Sequence, residues 1–182
     1  MKVIKTEFKD LLIIEPNVFA DDRGYFFEPF NEARFYLETG LNIHFVQDNE
    51  SMSSKNVVRG MHFQIPPKSQ AKLVRVSRGA VLDVVVDLRK SQPTFGKHFK
   101  IVLSAENKTQ LFVPEGFAHG FAVLEDNTIF SYKCSNYYSK EHDRSVLWND
   151  AAFGIDWEVE NPVLSEKDKN AIPFVEFQTP FI

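Results

Sequence analysis

The sequence predicts an all-β protein: a jelly-roll barrel or sandwich with a few short helices. Three observations predict it. Short strand-like runs recur at regular intervals from Ile43 to Cys134. Turn-forming segments such as Pro66-Pro67-Lys68, Arg78-Gly79 and Pro114-Glu115-Gly116 separate them, with no long helix between. Val81 to Leu88 carries apolar residues on both faces, as a strand covered on both sides does.

Lys2 to Phe8 and Leu11 to Glu15 read as the first two strands, parted by Lys9-Asp10. Asp21-Asp22-Arg23-Gly24 reads as a turn leading into a strand from Tyr25 to Phe30. Glu32 to Glu38 reads as a helix of about two turns. Asn31 is its cap, Phe30 and Phe35 its hydrophobic staple, and Gly40 its stop. The regular strands then follow: Ile43 to Asn49, Val57 to Phe63, Ala71 to Ser77, Val81 to Leu88, His98 to Leu103, Gln110 to Val113, Gly120 to Glu125 and Thr128 to Cys134. Beyond them, Leu147 to Trp157 reads as irregular chain tied down by aromatics. Ser165 can cap a short helix, and Pro173 to Pro180 reads as a tail along the body. These elements predict one domain over residues 1–182. It has an N-terminal strand extension over about 1–50 and an irregular, partly helical tail over about 145–182.

Within Val81 to Leu88, Leu82, Val84, Val86 and Leu88 share one face, and Val81, Asp83, Val85 and Asp87 the other. One face can line the barrel while the other meets a second layer or a partner subunit. Asp83 and Asp87 on a partly apolar face require partners, either basic neighbours or a group they support.

A length of 182 residues fits one domain with a core of useful size. The 21 basic and 25 acidic residues give a formal charge of −4, which argues against a nucleic-acid binder. A single cysteine excludes an internal disulfide framework. The start of the chain lacks a signal-peptide pattern, and no run approaches the roughly 20 apolar residues that span a bilayer. A cytoplasmic protein without a membrane partner is the expectation. The 18 phenylalanines predict packing and stacking, so acid–base chemistry falls to a few other residues.

The densest polar cluster is Arg59-Gly60-Met61-His62-Phe63-Gln64. In an extended strand His62 and Gln64 share a face, and Arg59 points away unless the strand bulges at the glycine. Lys72 lies on the face of Val74 and Val76, where an ammonium is costly without a task or a counter-charge. His119 enters a strand beside Phe121 and Val123. Gln64 stands where a metal-binding barrel would have another histidine. Two scattered histidines without a third ligand make a poor metal site, so no metal is expected. Tyr132 is a candidate proton donor if nearby positive charge, from Lys72 or Arg59, assists it. Arg23 beside Phe26, with Gln47 and Asn49 on one strand face, fits a nucleotide-like ligand: arginine for phosphate, ring for base, amides for polar edges. No glycine-rich phosphate loop is present, and Cys134 reads as packing.

Taken together, these segments resemble the dTDP-4-dehydrorhamnose 3,5-epimerase family, cupin-fold enzymes of dTDP-L-rhamnose synthesis. The resemblance runs from Phe8 to about Asp168. It rests on Asp22-Arg23-Gly24 with Phe26 and Glu28, Gln47-Asp48-Asn49, Val58 to Gln64, and Gln70-Ala71-Lys72. It continues through Asp83 to Arg89, Pro114 to Phe121, and Trp148-Asn149-Asp150. The order and spacing of the pieces are more specific than any one of them.

The resemblance implies inversion at C3 and C5 of dTDP-4-dehydro-6-deoxy-D-glucose without a cofactor. His62 would be the general base and Asp168 its orienting carboxylate. Lys72 would stabilise the enolate, and Tyr132 would return the proton. Arg23, Glu28, Gln47, Asn49 and Lys167 would contact the nucleotide or its phosphates, and Arg59 would add positive charge beside Lys72 at the enolate. Phe26 and Tyr138 would bracket the thymine, and His119 matches a second pocket histidine. The resemblance also implies a homodimer that exchanges N-terminal strands. A single-inversion relative, a metal-dependent cupin and a non-catalytic sugar-binding module are the alternatives, and the full pattern favours double inversion.

Overall fold

A computed structural model describes residues 1–182. The strands are β1 (Lys2–Lys5), β2 (Leu12–Glu15), β3 (Val18–Asp21), β4 (Gly24–Phe27), β5 (Gln47–Ser53), β6 (Val58–Gln64) and β7 (Lys72–Arg78). They continue as β8 (Ala80–Asp87), β9 (His98–Ser104), β10 (Gln110–Val113), β11 (Phe117–Val123), β12 (Thr128–Cys134) and β13 (Asp143–Ser145). Helix α1 (Glu32–Thr39) follows β4, and the short α2 (Glu166–Lys169) lies in the C-terminal part. A six-stranded sheet, β1-β2-β10-β7-β12-β5, faces a five-stranded sheet, β13-β6-β11-β8-β9. All of these pairings are antiparallel, and β3 and β4 form a separate hairpin. Two facing antiparallel sheets with only two short helices make the all-β sandwich that the sequence predicts.

Three apolar clusters hold the sheets. The first lies between them, with Val74, Val76, Leu111 and Phe130 of one sheet against Val81, Val85, Phe117 and Phe121 of the other. The second covers the outer face of the five-stranded sheet. There Leu82, Val84, Val86 and Leu88 pack on Phe153, Trp157 and Phe181. The two faces of β8 divide as the alternation predicts, and the second layer is the chain's own C-terminal tail. The third cluster lies outside the six-stranded sheet, where Phe35 of α1 covers Leu12, Ile14, Leu73 and Phe112.

Helix α1 forms as its caps predict. Asn31 Oδ1 accepts from the Arg34 amide, and Gly40 ends the helix in the left-handed region at φ 73°. The Phe30 and Phe35 rings lie 6.0 Å apart, closing the staple.

Several boundaries differ from the sequence reading. The strand expected from Ile43 begins at Gln47, because Ile43 and Phe45 pack against the cluster around Phe35 instead of joining the sheet. The strand expected from Gly120 begins at Phe117, so His119 lies well inside β11. β1 stops at Lys5, where the Thr6 hydroxyl turns the chain by bonding the carbonyls of Phe8 and Leu11. β3 and β13 were not anticipated, being only four and three residues long.

One irregularity positions the site. His119 of β11 pairs with His62 of β6, but Phe121 pairs with Arg59. Three steps on β6 therefore match two on β11, which is a bulge at Gly60-Met61. Val58, Met61 and Phe63 point into the outer cluster. Arg59, His62 and Gln64 line the inner cleft. Gly60 has φ 145°, and a Cβ there would stand 2.6 Å from the Gly120 Cα. Gly60→Ala is expected to cost about 2–4 kcal/mol of stability, combining strained backbone with a steric clash. Urea unfolding checks this; a cost below about 1 kcal/mol would show that the bulge tolerates a side chain.

Candidate active site

The antiparallel registers fix a lattice of inward side chains. On the six-stranded sheet, Cys134 pairs across to Lys72 and Gln47, Tyr132 to Val74 and Asn49, and Phe130 to Val76 and Ser51. On the opposing sheet, His119 stands between His62 and Val85, and Phe121 between Arg59 and Asp83. The two lattices enclose a solvent-open cleft of about 520 Å³, the size class of small-ligand sites. Its floor is aromatic: the Phe121 and Phe130 rings stack with centroids 4.1 Å apart, and His119 lies 6.0 Å from Phe130.

His62 is half-buried, and its Nε2 lies 2.5 Å from Asp168 Oδ1. Asp168 is 2% exposed and sits in α2, whose first turn is capped by the Ser165 side chain. Burial pushes its carboxyl pKa up. The His62 hydrogen bond and charge, with bonds from Ser165 and the Gly60 amide, outweigh that and hold it below the ordinary value. The carboxylate therefore accepts from Nε2–H, which leaves the Nδ1 lone pair free. No protein group bonds Nδ1, and it is not sealed from solvent. The arrangement suits a base.

His119 is buried, and its Nε2 lies 2.9 Å from Asp83 Oδ2. Burial pushes the Asp83 carboxyl up, and His119 pulls it back. The second acid of β8, Asp87, accepts from Arg89 at 2.7 Å and from Thr94 at 2.6 Å. Of the two acids that required partners, Asp87 has a basic neighbour and Asp83 supports a pocket histidine.

Lys72 projects into the cleft with no carboxylate in ion-pair range, its Nζ 6.0 Å from the Tyr132 ring centroid. Burial lowers its pKa, opposed by the charges of Cys134, Asp143 and Asp83. Burial raises the Tyr132 phenol, and Arg59 opposes it. Tyr132 is therefore a neutral proton donor near neutral pH. Burial also raises the Cys134 thiol, which fits packing rather than reactivity.

The nucleotide-type residues divide. Gln47, Asn49, Arg59, Tyr138 and Lys167 line the same cleft as His62, Lys72, His119 and Tyr132. Lys167 Nζ donates to Asp143 at 2.5 Å, and the Tyr138 hydroxyl donates to the same carboxylate oxygen at 3.3 Å. Arg23, Phe26 and Glu28 are not brought there. Arg23 pairs with its neighbour Asp21 in the β3–β4 hairpin, Phe26 is 71% exposed, and Glu28 lies 3.6 Å from Arg34. The hairpin stands away from its own chain's cleft because both its strands are almost wholly exposed. The polar cleft residues Ser51, Gln64, Gln70 and Asp143 escaped the sequence reading as site residues. Asp143 carried no signal, since its strand is three residues long. No group of three or more His, Cys, Asp or Glu side chains converges as a metal site, and no helix is long and apolar enough to cross a membrane.

A histidine–carboxylate pair, a phenol and an isolated lysine in a jelly-roll cleft make up a site of the acid–base class. The comparisons narrow the class. Residues 5–176 match the family model described as dTDP-4-dehydrorhamnose 3,5-epimerase. The enzyme of that name from Shigella flexneri is 55% identical over 176 residues, 97% of each chain. The crystal structure of the Elizabethkingia anophelis enzyme superposes with a TM-score of 0.92 at 55% identity, covering 96% of this chain and 97% of that one. The dTDP-6-deoxy-D-glucose-3,5-epimerase of Legionella pneumophila, solved with dTDP-4-keto-L-rhamnose, gives a TM-score of 0.93 at 43% identity, covering 97% and 94%. The chain belongs to the dTDP-4-dehydrorhamnose 3,5-epimerase family.

Lys72 has a stability consequence with a definite sign. A lysine whose pKa falls on folding is penalised wherever the unfolded chain keeps it protonated, and the penalty fades as pH rises through the folded value toward 10.5. Lys72→Met is therefore expected to raise the melting temperature at pH 7, with a gain that shrinks in alkaline buffer. A lower melting temperature at pH 7 would show that Lys72 contributes a stabilising interaction.

Proposed function

We propose that this protein inverts C3 and C5 of dTDP-4-dehydro-6-deoxy-D-glucose, giving dTDP-4-dehydro-L-rhamnose. The observation that carries this reading is His62 on one sheet, paired with Asp168 of α2, facing Tyr132 on the other sheet, with Lys72 beside the phenol. The C4 ketone acidifies the C–H bonds on both neighbouring carbons, so neither a metal nor a redox cofactor is required. His62 Nδ1 removes the proton, and Asp168 stabilises the imidazolium that results. Negative charge moves to the C4 oxygen, where the Lys72 ammonium stabilises it in a partly desolvated cleft. The phenol of Tyr132 then delivers a proton to the opposite face of the planar enolate, which inverts the carbon.

The nucleotide lies toward the mouth of the cleft. Arg59 and Lys167 meet the pyrophosphate, Gln47 and Asn49 meet polar edges, and Tyr138 stacks on the thymine. His119, held by Asp83, completes the sugar pocket. Arg23, Phe26 and Glu28 reach the cleft of a second copy, because the protein is a homodimer that exchanges N-terminal strands. The exposed Phe19, Tyr25 and Phe26 of the hairpin support that arrangement. The protein acts in the cytoplasm, where nucleotide sugars are made.

Incubation with the keto-sugar in deuterated water is expected to place deuterium at both C3 and C5. His62→Ala is expected to slow exchange at both carbons by about 10²–10⁴-fold while dTDP still binds. Absence of wash-in by folded wild-type protein would refute the epimerase reading, and label at one carbon only would identify a single-inversion enzyme.

Strand exchange makes a separate prediction. His62→Ala and Arg23→Ala proteins, each nearly inactive, should regain about a quarter of wild-type activity when refolded together, since half the dimers carry one intact site. No recovery in a mixture shown to contain mixed dimers would place Arg23 outside the partner's site.

A further inference from the structure

We infer that Gln64 and Gln70 are positioning residues that set the Tyr138 ring for the nucleotide base. The inference rests on the reading of Tyr138 given above. The loop after β12 carries Tyr137 and Tyr138, which are 62% and 59% exposed, so apolar burial does not fix its shape. Side-chain amides do. Gln70 Nε2 donates to the Asn136 carbonyl at 2.7 Å. Gln64 Nε2 donates to the Tyr137 carbonyl at 3.2 Å, and Gln64 Oε1 accepts from the Ser139 amide at 2.6 Å. Gln47 Oε1 accepts from the Tyr138 amide at 3.0 Å. Four consecutive residues are thus held by glutamines reaching in from outside the loop.

Gln64 is the centre of this cradle. It is 5% exposed, and its second N–H donates to the Lys68 carbonyl at 2.6 Å. Both of its donors and its oxygen are engaged with backbone. It lines the cleft two residues beyond His62, yet neither of its N–H groups can donate to a ligand without giving up a backbone partner. A histidine or an apolar residue there could not satisfy Lys68, Tyr137 and Ser139 together. This chemistry explains why the position holds a glutamine. It also distinguishes the base subsite, which the loop forms, from the His62 pair, whose carboxylate comes from α2.

The test measures dTDP affinity by calorimetry and steady-state kinetics on the full chain. Gln64→Met is expected to raise the dTDP dissociation constant and the KM about tenfold, with kcat within about twofold of wild type. Gln70→Met, which loses a single bond, is expected to raise both about threefold. It also serves as the test should Gln64→Met fail to fold, as judged by circular dichroism and melting. In a Tyr138→Ala background each effect should shrink below about twofold, because the residues act through one ring. Unchanged dTDP affinity in the folded glutamine variants overturns the inference and leaves the role of Tyr138 standing. So does a full-sized effect that persists without the Tyr138 ring. If Tyr138→Ala alone leaves dTDP affinity unchanged, the reading of Tyr138 fails, and the inference falls with it.

Discussion

The close approach of two backbones at Gly60 and Gly120 is the constraint on which the cleft depends. Strand alternation would place Arg59 and His62 on opposite faces of β6. The bulge absorbs one residue and returns both side chains to the inner face. Met61, displaced by the same step, is fully buried in the outer cluster and anchors the irregularity from behind. One local distortion therefore turns a cation and an imidazole toward the same cleft.

The interior between the sheets is divided along the strands. One end is filled by Val74, Val76, Val81, Val85 and their neighbours, and the other opens as the polar cleft. β7 crosses that boundary, running from Lys72 in the cleft to Val76 in the core. An apolar end that is close-packed supplies rigid strands, and rigid strands carry polar groups whose desolvation would otherwise loosen the sandwich. The clusters outside each sheet serve the same purpose. They allow inward positions to be chosen for chemistry, because much of the apolar burial occurs on the outer faces.

Much of this was legible in the sequence, for reasons that can be named. Regular turn residues and period-two alternation revealed the sandwich, and Asn31 and Gly40 marked α1 correctly. Where alternation served two purposes it misled. Ile43 and Phe45 alternate like a strand but pack on Phe35, and nothing local distinguishes those outcomes. The faces of β8 and the inward set of β7 and β12 followed from spacing alone. Arg59 was ambiguous, since a bulge depends on the partner strand. The pairing of His62 with Asp168 spans 106 positions, and no local pattern reveals such a contact. The resemblance supplied that pair and Glu28, whereas Arg23 and Phe26 were legible as an arginine beside a ring; one chain brings none of these three to its own cleft. Asp143 and the glutamine cradle stayed hidden, because their significance lies in which backbone groups a tertiary fold leaves without partners.

The C-terminal segment has a consequence for how this protein comes into being. It covers the outer face of the five-stranded sheet with Phe153, Trp157 and Phe181, and in the same stretch it delivers Asp168 to His62. A ribosome releases these residues after the strands that they cover. The strands that bear His62, Lys72 and Tyr132 leave it first, with one sheet face still bare and the imidazole without its carboxylate. The nascent chain thus holds its acid–base residues before it has the group that sets the base, and the same closing segment seals the exposed apolar face and orients the histidine. Sealing of that face and the pairing of His62 arrive together, when this one segment docks.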